Sequence, residues 1–201
     1  MMSERVALKI AIDLMHVPSQ VRLVRSEPLP DGVPMLLRIA AGDAQAEQAA
    51  VELTGRPREA VRRAAAFFIE QILFAPNADS YRRLGASPQA SAGELRRNVA
   101  LLLRWLHPDI DPRGERSVFA GKVTAAWNNL KTPERRAAYD ELWRRRNNGA
   151  KPRPGRRGSG RQFADLFARR NGRRANAPPP LDVGVGFFRR ALSFLFYRPR
   201  Q

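Results

Sequence analysis

His107, Pro108 and Asp109 are consecutive in this 201-residue chain and place an imidazole, a rigid ring and a carboxylate side by side. A carboxylate held at a solvent-facing corner accepts charge-assisted hydrogen bonds from a guanidinium, and these are directional and strong. Pro108 stiffens the corner and disfavours the helical conformation at His107. An imidazole beside it can orient the corner or add a contact of its own. The other histidine, His16, stands alone beside Pro18 and reads as an ordinary surface or packing residue. There is no cysteine and no nucleophile–base pattern, so we expect no enzymatic activity and no cofactor.

Other chemistries fail on inspection. Asp109-Ile110-Asp111-Pro112-Arg113-Gly114 looks like a calcium loop, but Arg113 takes a ligand position and Ala120 the closing acidic one. Gly121-Lys122 is followed by Val123 rather than Ser or Thr, and Gly114 lies too far upstream for a phosphate loop. The absence of cysteine excludes disulfides and thiolate zinc sites, and no metal site is expected.

Two helical patterns flank the triplet. Leu95, Val99, Leu102 and Leu106 repeat at i, i+4, i+7 and i+11, as do Phe119, Val123, Ala126 and Leu130. Each set makes one apolar stripe, and a short polar connection between them predicts an antiparallel helical hairpin with the triplet at its tip. Ser91 and Glu94 form a capping-box pattern for the first of these helices. Thr132 and Pro133 mark the start of a further one. Gly85 and Pro88 punctuate the chain before Ser91. Tyr81, Leu84, Tyr139 and Leu142 are expected to close a small core.

These residues resemble a J-domain, the module of DnaJ-type co-chaperones, over about Asp79 to Arg144. Ser80-Tyr81-Arg82-Arg83-Leu84-Gly85 looks like the family's short first helix, and Ser91-Ala92-Gly93-Glu94-Leu95 leads into the second. Phe119 to Leu130 resembles the third helix, and Pro133 to Asp140 the fourth. The resemblance implies binding to an ATP-loaded DnaK-class chaperone and stimulation of its ATP hydrolysis. His107, Pro108 and Asp109 would form the docking loop, with Arg96, Arg97 and Arg104 on the basic face of the second helix. This chain departs from the family at Ala100, Leu101 and Trp105, where basic residues are common, so its docking face is less charged. Leu101 and Trp105 could instead dock the N-terminal region or form part of the chaperone contact.

The net charge of +17 is unevenly placed: residues 1–77 are balanced, 78–143 carry +3 and 144–201 carry +14. The expected architecture is all-α: a helical N-terminal domain (1–77), a four-helix J-domain (78–146), a basic disordered linker (147–180) and a C-terminal amphipathic segment (181–201). In the first domain, helices are expected over Ser3–Met15, Gly32–Ala41, Asp43–Leu53 and Arg58–Phe74. Val6, Leu8, Ile10, Ile12 and Leu14 alternate as in a strand, but a lone strand has nothing to pair with. The tail combines Phe187, Phe188, Phe194 and Phe196 with Arg189 and Arg190, a composition suited to anionic lipid. The alternative reading is accordingly a basic adaptor for nucleic acid or a membrane surface that uses the J-like unit as scaffold. No secretory signal or membrane-spanning run is visible, so a cytoplasmic location is expected, peripheral to the membrane if the tail binds lipid.

Overall fold

A computed structural model describes the backbone of residues 4–149 and the side chains of residues 5–146. The expected linker and C-terminal segment, with Phe187, Phe188, Arg189, Arg190, Phe194 and Phe196, lie outside the described residues. Among those described, the regular structure is all helical, with no strand.

The N-terminal half holds α1 (Glu4–His16), α2 (Val21–Ser26), α3 (Val33–Ala40), α4 (Ala44–Thr54) and α5 (Arg58–Phe68). In α1 the helical stripe Ala7, Leu8, Ala11, Ile12 and Leu14 is buried while Val6 is exposed, so the apparent strand alternation loses to a period of 3.6. Asp43 caps α4 by accepting from the amides of Gln45 and Ala46 at 3.0 and 3.1 Å, and Arg38 Nε donates to it at 2.8 Å. The Arg38 hydrogen bond, the Ala46 amide and the Arg38 charge hold its carboxyl below the usual range. Glu47 is buried, and its carboxylate is met by Arg62 Nε at 2.5 Å, Arg62 Nη2 at 2.9 Å and Arg58 Nε at 3.4 Å, which fastens α4 to α5.

Two features of this half differ from the sequence expectation. α2 was not foreseen: six residues are too few to show a period, and only Val21 among them is buried. Its C-terminal carbonyls are instead held from afar, with Arg82 Nη2 and Nη1 donating to Val24 O and Glu27 O, both at 2.8 Å. The helix expected over Arg58–Phe74 also does not run through as α. It widens into a π turn at Ile69–Leu73, where Phe74 N donates to Ile69 O. Cationic side chains cover the carbonyls freed there: Arg25 Nε on Gln71 O at 2.8 Å, Arg82 Nε on Ile72 O at 3.4 Å and Lys122 Nζ on Phe74 O at 3.2 Å.

The second half holds α6 (Ser80–Arg83), α7 (Ala92–Trp105), α8 (Ala120–Leu130) and α9 (Pro133–Gly149). Asp79 and Ser91 cap α6 and α7 through their side chains. The stripe expected from Phe119 to Leu130 begins at the end of a 3-10 turn, Ser117–Phe119, before α8 starts. α9 is joined to α6 by polar contacts: Tyr81 Oη donates to Asp140 Oδ1 at 2.8 Å, Arg136 Nε donates to Tyr81 Oη at 2.8 Å, and Ser80 N donates to Tyr139 Oη at 2.8 Å. Tyr81 and Leu84 are buried as expected and Tyr139 packs edge-on to Tyr81, but Leu142 is 62% exposed and closes no core. α9 turns Leu142 outward because its inward face is the one carrying Arg136, Tyr139 and Asp140.

One buried apolar cluster runs from Ala7 through to Leu130, across both halves. Gly85, at φ +62°, shows how closely they meet. A Cβ there would stand 2.9 Å from Val33 Cγ1 and 3.2 Å from Leu37 Cδ1, both on α3.

Candidate functional site

The triplet sits immediately beyond the C-terminus of α7, where the sequence places a helix stop. His107 N still donates to Arg104 O, and the chain then folds back on itself: Ile110 N and Asp111 N both donate to His107 O at 2.9 Å. Asp111 is buried, and its Oδ2 accepts the amide of Arg116 at 2.8 Å, closing the loop on its far side. The result is a wound corner with Pro108 and Asp109 on its outside.

Asp109 is the outermost acidic group of this corner, with its side chain 86% exposed, while that of His107 is 39% exposed. His107 Nδ1 lies 3.3 Å from both the backbone N and the Oδ2 of Asp109. The amide contact needs a bare Nδ1 and the carboxylate contact an Nδ1–H, so the tautomer of the ring decides which of the two it makes. In either form the ring braces Asp109 and leaves the carboxylate facing solvent.

α7 separates its faces cleanly. Leu95, Asn98, Val99, Leu102, Leu103 and Trp105 are buried, while Arg96, Arg97, Ala100 and Arg104 are exposed and lead up to the corner. Arg97 and Arg104, seven residues apart, share one face. None of the three arginines makes an ion pair among the described residues, so their charge is available to a partner. Buried Asn98 donates to Leu84 O at 2.9 Å and Gly85 O at 3.2 Å, tying α7 to the end of α6.

Trp105 resolves the question of the missing basic residue. It is buried and stacks near Phe74 and Phe119, with ring centroids 6.1 and 6.0 Å away and the guanidinium of Arg116 5.0 Å above it. Leu101 is half-buried against the same core. Both side chains therefore serve internal packing.

Sequence reasoning did not find the residues that hold the corner from outside its own helices. Ile110 reaches the α3–α4 turn, where its Cδ1 stands 3.7 Å from the place a Cβ on Gly42 would take, and Gly42 has φ +74°. Arg116 Nε lies 3.4 Å from Glu70 Oε1 in the π turn. These are contacts between residues far apart in the chain, and no local spacing signals them. Among the described residues there is no group of three or more His, Cys, Asp or Glu able to hold a metal, and no helix long and apolar enough to cross a membrane.

Fold and site together define an all-α protein with an exposed carboxylate corner at the end of a basic helical stripe. Its sequence is similar to the curved DNA-binding protein of Citrobacter koseri, 30% identical over 95 residues, covering 45% of this chain and 31% of that protein. It is also similar to the curved DNA-binding protein of Escherichia coli, 29% identical over 85 residues, covering 42% and 28%. A third similarity is to chaperone protein DnaJ 1 of Mycobacterium leprae, 39% identical over 66 residues, covering 33% and 17%. The chain thus spans a third or less of the length of these relatives. No protein-family model and no solved structure matches it. The similarities support the J-domain resemblance at the level of family.

Proposed function

We propose that this protein is a J-domain co-chaperone that docks on a DnaK-class chaperone and stimulates its ATP hydrolysis. The observation that carries this reading is the exposure of Asp109 on a braced, proline-containing corner at the end of the Arg96, Arg97 and Arg104 stripe. The stripe steers encounter with an acidic surface, and Asp109 accepts a guanidinium of the partner. Stimulation follows if that contact favours the partner's hydrolysis-competent state over its resting state. The protein itself hydrolyses nothing in this scheme. The relative named chaperone protein DnaJ 1 supports the reading. Titrating the full chain into the host's DnaK-class proteins while following phosphate release tests it: saturable stimulation is expected, and a flat response from every one of them would contradict it.

The basic composition of residues 144–201 supports a second role, in which the tail brings the co-chaperone to nucleic acid. The Citrobacter koseri and Escherichia coli relatives carry the name curved DNA-binding protein. Deleting residues 147–201 should then abolish salt-sensitive binding to a DNA duplex while leaving ATPase stimulation in place.

A further inference from the structure

Asp109 and Ile110 form the shared wall of two clefts. One, of 360 Å³, runs along the end of α7 and is lined by Ala100, Leu103, Arg104 and His107. The other, of 610 Å³, is lined by Asp109, Ile110 and Arg116 together with Glu59, Arg62, Arg63, Ala66 and Phe67 of α5, and is completed by residues of α1 and the α3–α4 turn. The second cleft therefore joins the corner to helices outside the J-like unit. A partner group that reaches Asp109 has α7 in one adjoining cleft and α5 in the other.

The charges in the second cleft are not equivalent. Arg62 is committed to buried Glu47, and Arg116 lies against Glu70. Arg63 is exposed and has no ion pair among the described residues. It shares this cleft with Asp109, as Arg104, likewise exposed without an ion pair, shares the smaller one. Asp109 thus has an exposed arginine in each of its two clefts, one on α7 and one on α5. A protein surface acidic enough to complement Arg96, Arg97 and Arg104 finds one further cation if it extends past Asp109. Glu59, four residues before Arg63, lines the same cleft. A uniformly acidic surface is repelled there, and one that places its carboxylate at Arg63 alone is accepted.

We infer that the docking surface crosses the corner and that Arg63 of α5 is a specificity-determining contact for an acidic side chain of the same ATPase partner. This rests on the reading of Asp109 given above. It assigns the N-terminal helices a part in choosing among related chaperones, beyond supporting the fold.

The test uses the full chain and one responsive DnaK-class protein, with stimulation measured against co-chaperone concentration. Arg63→Glu should raise the half-maximal concentration about fivefold or more while the maximum at saturation is kept, and Arg63→Lys should restore most of the affinity. The thermal melt should change little, since Arg63 is exposed and the new like-charge pair with Glu59 costs little on a helix surface. An Arg63→Glu curve that overlays the wild type, with Asp109→Asn inactive, overturns this inference alone. Full activity of Asp109→Asn overturns the reading of the corner and this inference with it. A lowered maximum at saturation, or a loss confined to binding of a DNA duplex, also counts against Arg63 as a contact for the ATPase.

Discussion

At the scale of single residues, the corner works because each side chain near it has one task. Pro108 stops α7, His107 braces Asp109, Asp111 closes the loop, and Asp109 is left outside. A second residue with a defined state is Tyr81. Burial and its hydrogen bond to Asp140 push its phenol up to about 12, against an opposing hydrogen bond from Arg136. The folded protein holds this proton more tightly than the unfolded chain does. The stabilisation it provides is complete below the ordinary phenol value of 10.0 and is lost as pH rises through about 12. Following tyrosinate absorbance during alkaline titration should show one late step that Tyr81→Phe removes; an unchanged titration curve in the variant would contradict the assignment.

At the scale of elements, α7 is fixed from both sides, by Asn98 on the end of α6 and by Trp105 in the stack with Phe74 and Phe119. Gly85, just after α6, packs closely on α3. Gly85→Ala must place a methyl group against Val33 and adopt a left-handed backbone, which together should cost about 2 kcal/mol or more. Denaturant unfolding measures this, and an unshifted midpoint would show that α3 and the α6–α7 connection do not meet as described. These elements also show what a sequence makes legible. The cap at Ser91, the proline stop at residue 108 and the apolar stripes of α7 and α8 are local patterns and could be read directly. α2, the π turn at Ile69–Leu73 and the packing of Ile110 on Gly42 depend on partners distant in the chain, so local spacing carried no sign of them. Leu142 failed as a core residue for a related reason: α9 meets α6 through Arg136, Tyr139 and Asp140, and a polar seam leaves no apolar stripe to read.

At the scale of the whole molecule, the continuous core makes the J-like unit and the N-terminal helices mutually dependent. Removing residues 1–77 would strip α3 from α7, expose Trp105 and remove Phe74 from its stack. Full-length protein should therefore unfold in one cooperative transition by both circular dichroism and tryptophan fluorescence. A fragment of residues 78–146 should melt far lower or fail to fold. Two separable transitions in the full chain, or a fragment as stable as the parent, would contradict this dependence. The same union carries the site, because α5 lines the larger cleft together with Asp109.

The central claim is that one exposed carboxylate switches on a partner's nucleotide hydrolysis. Single-turnover ATP hydrolysis by a DnaK-class chaperone, with wild-type chain and Asp109→Asn side by side, tests it most directly. Losing a hydrogen bond to a charged group costs about 1.5–3 kcal/mol, so stimulation should fall roughly ten- to a hundredfold, while the exposed position leaves the melting temperature unchanged. A variant that folds normally and stimulates as well as the wild type would contradict the account.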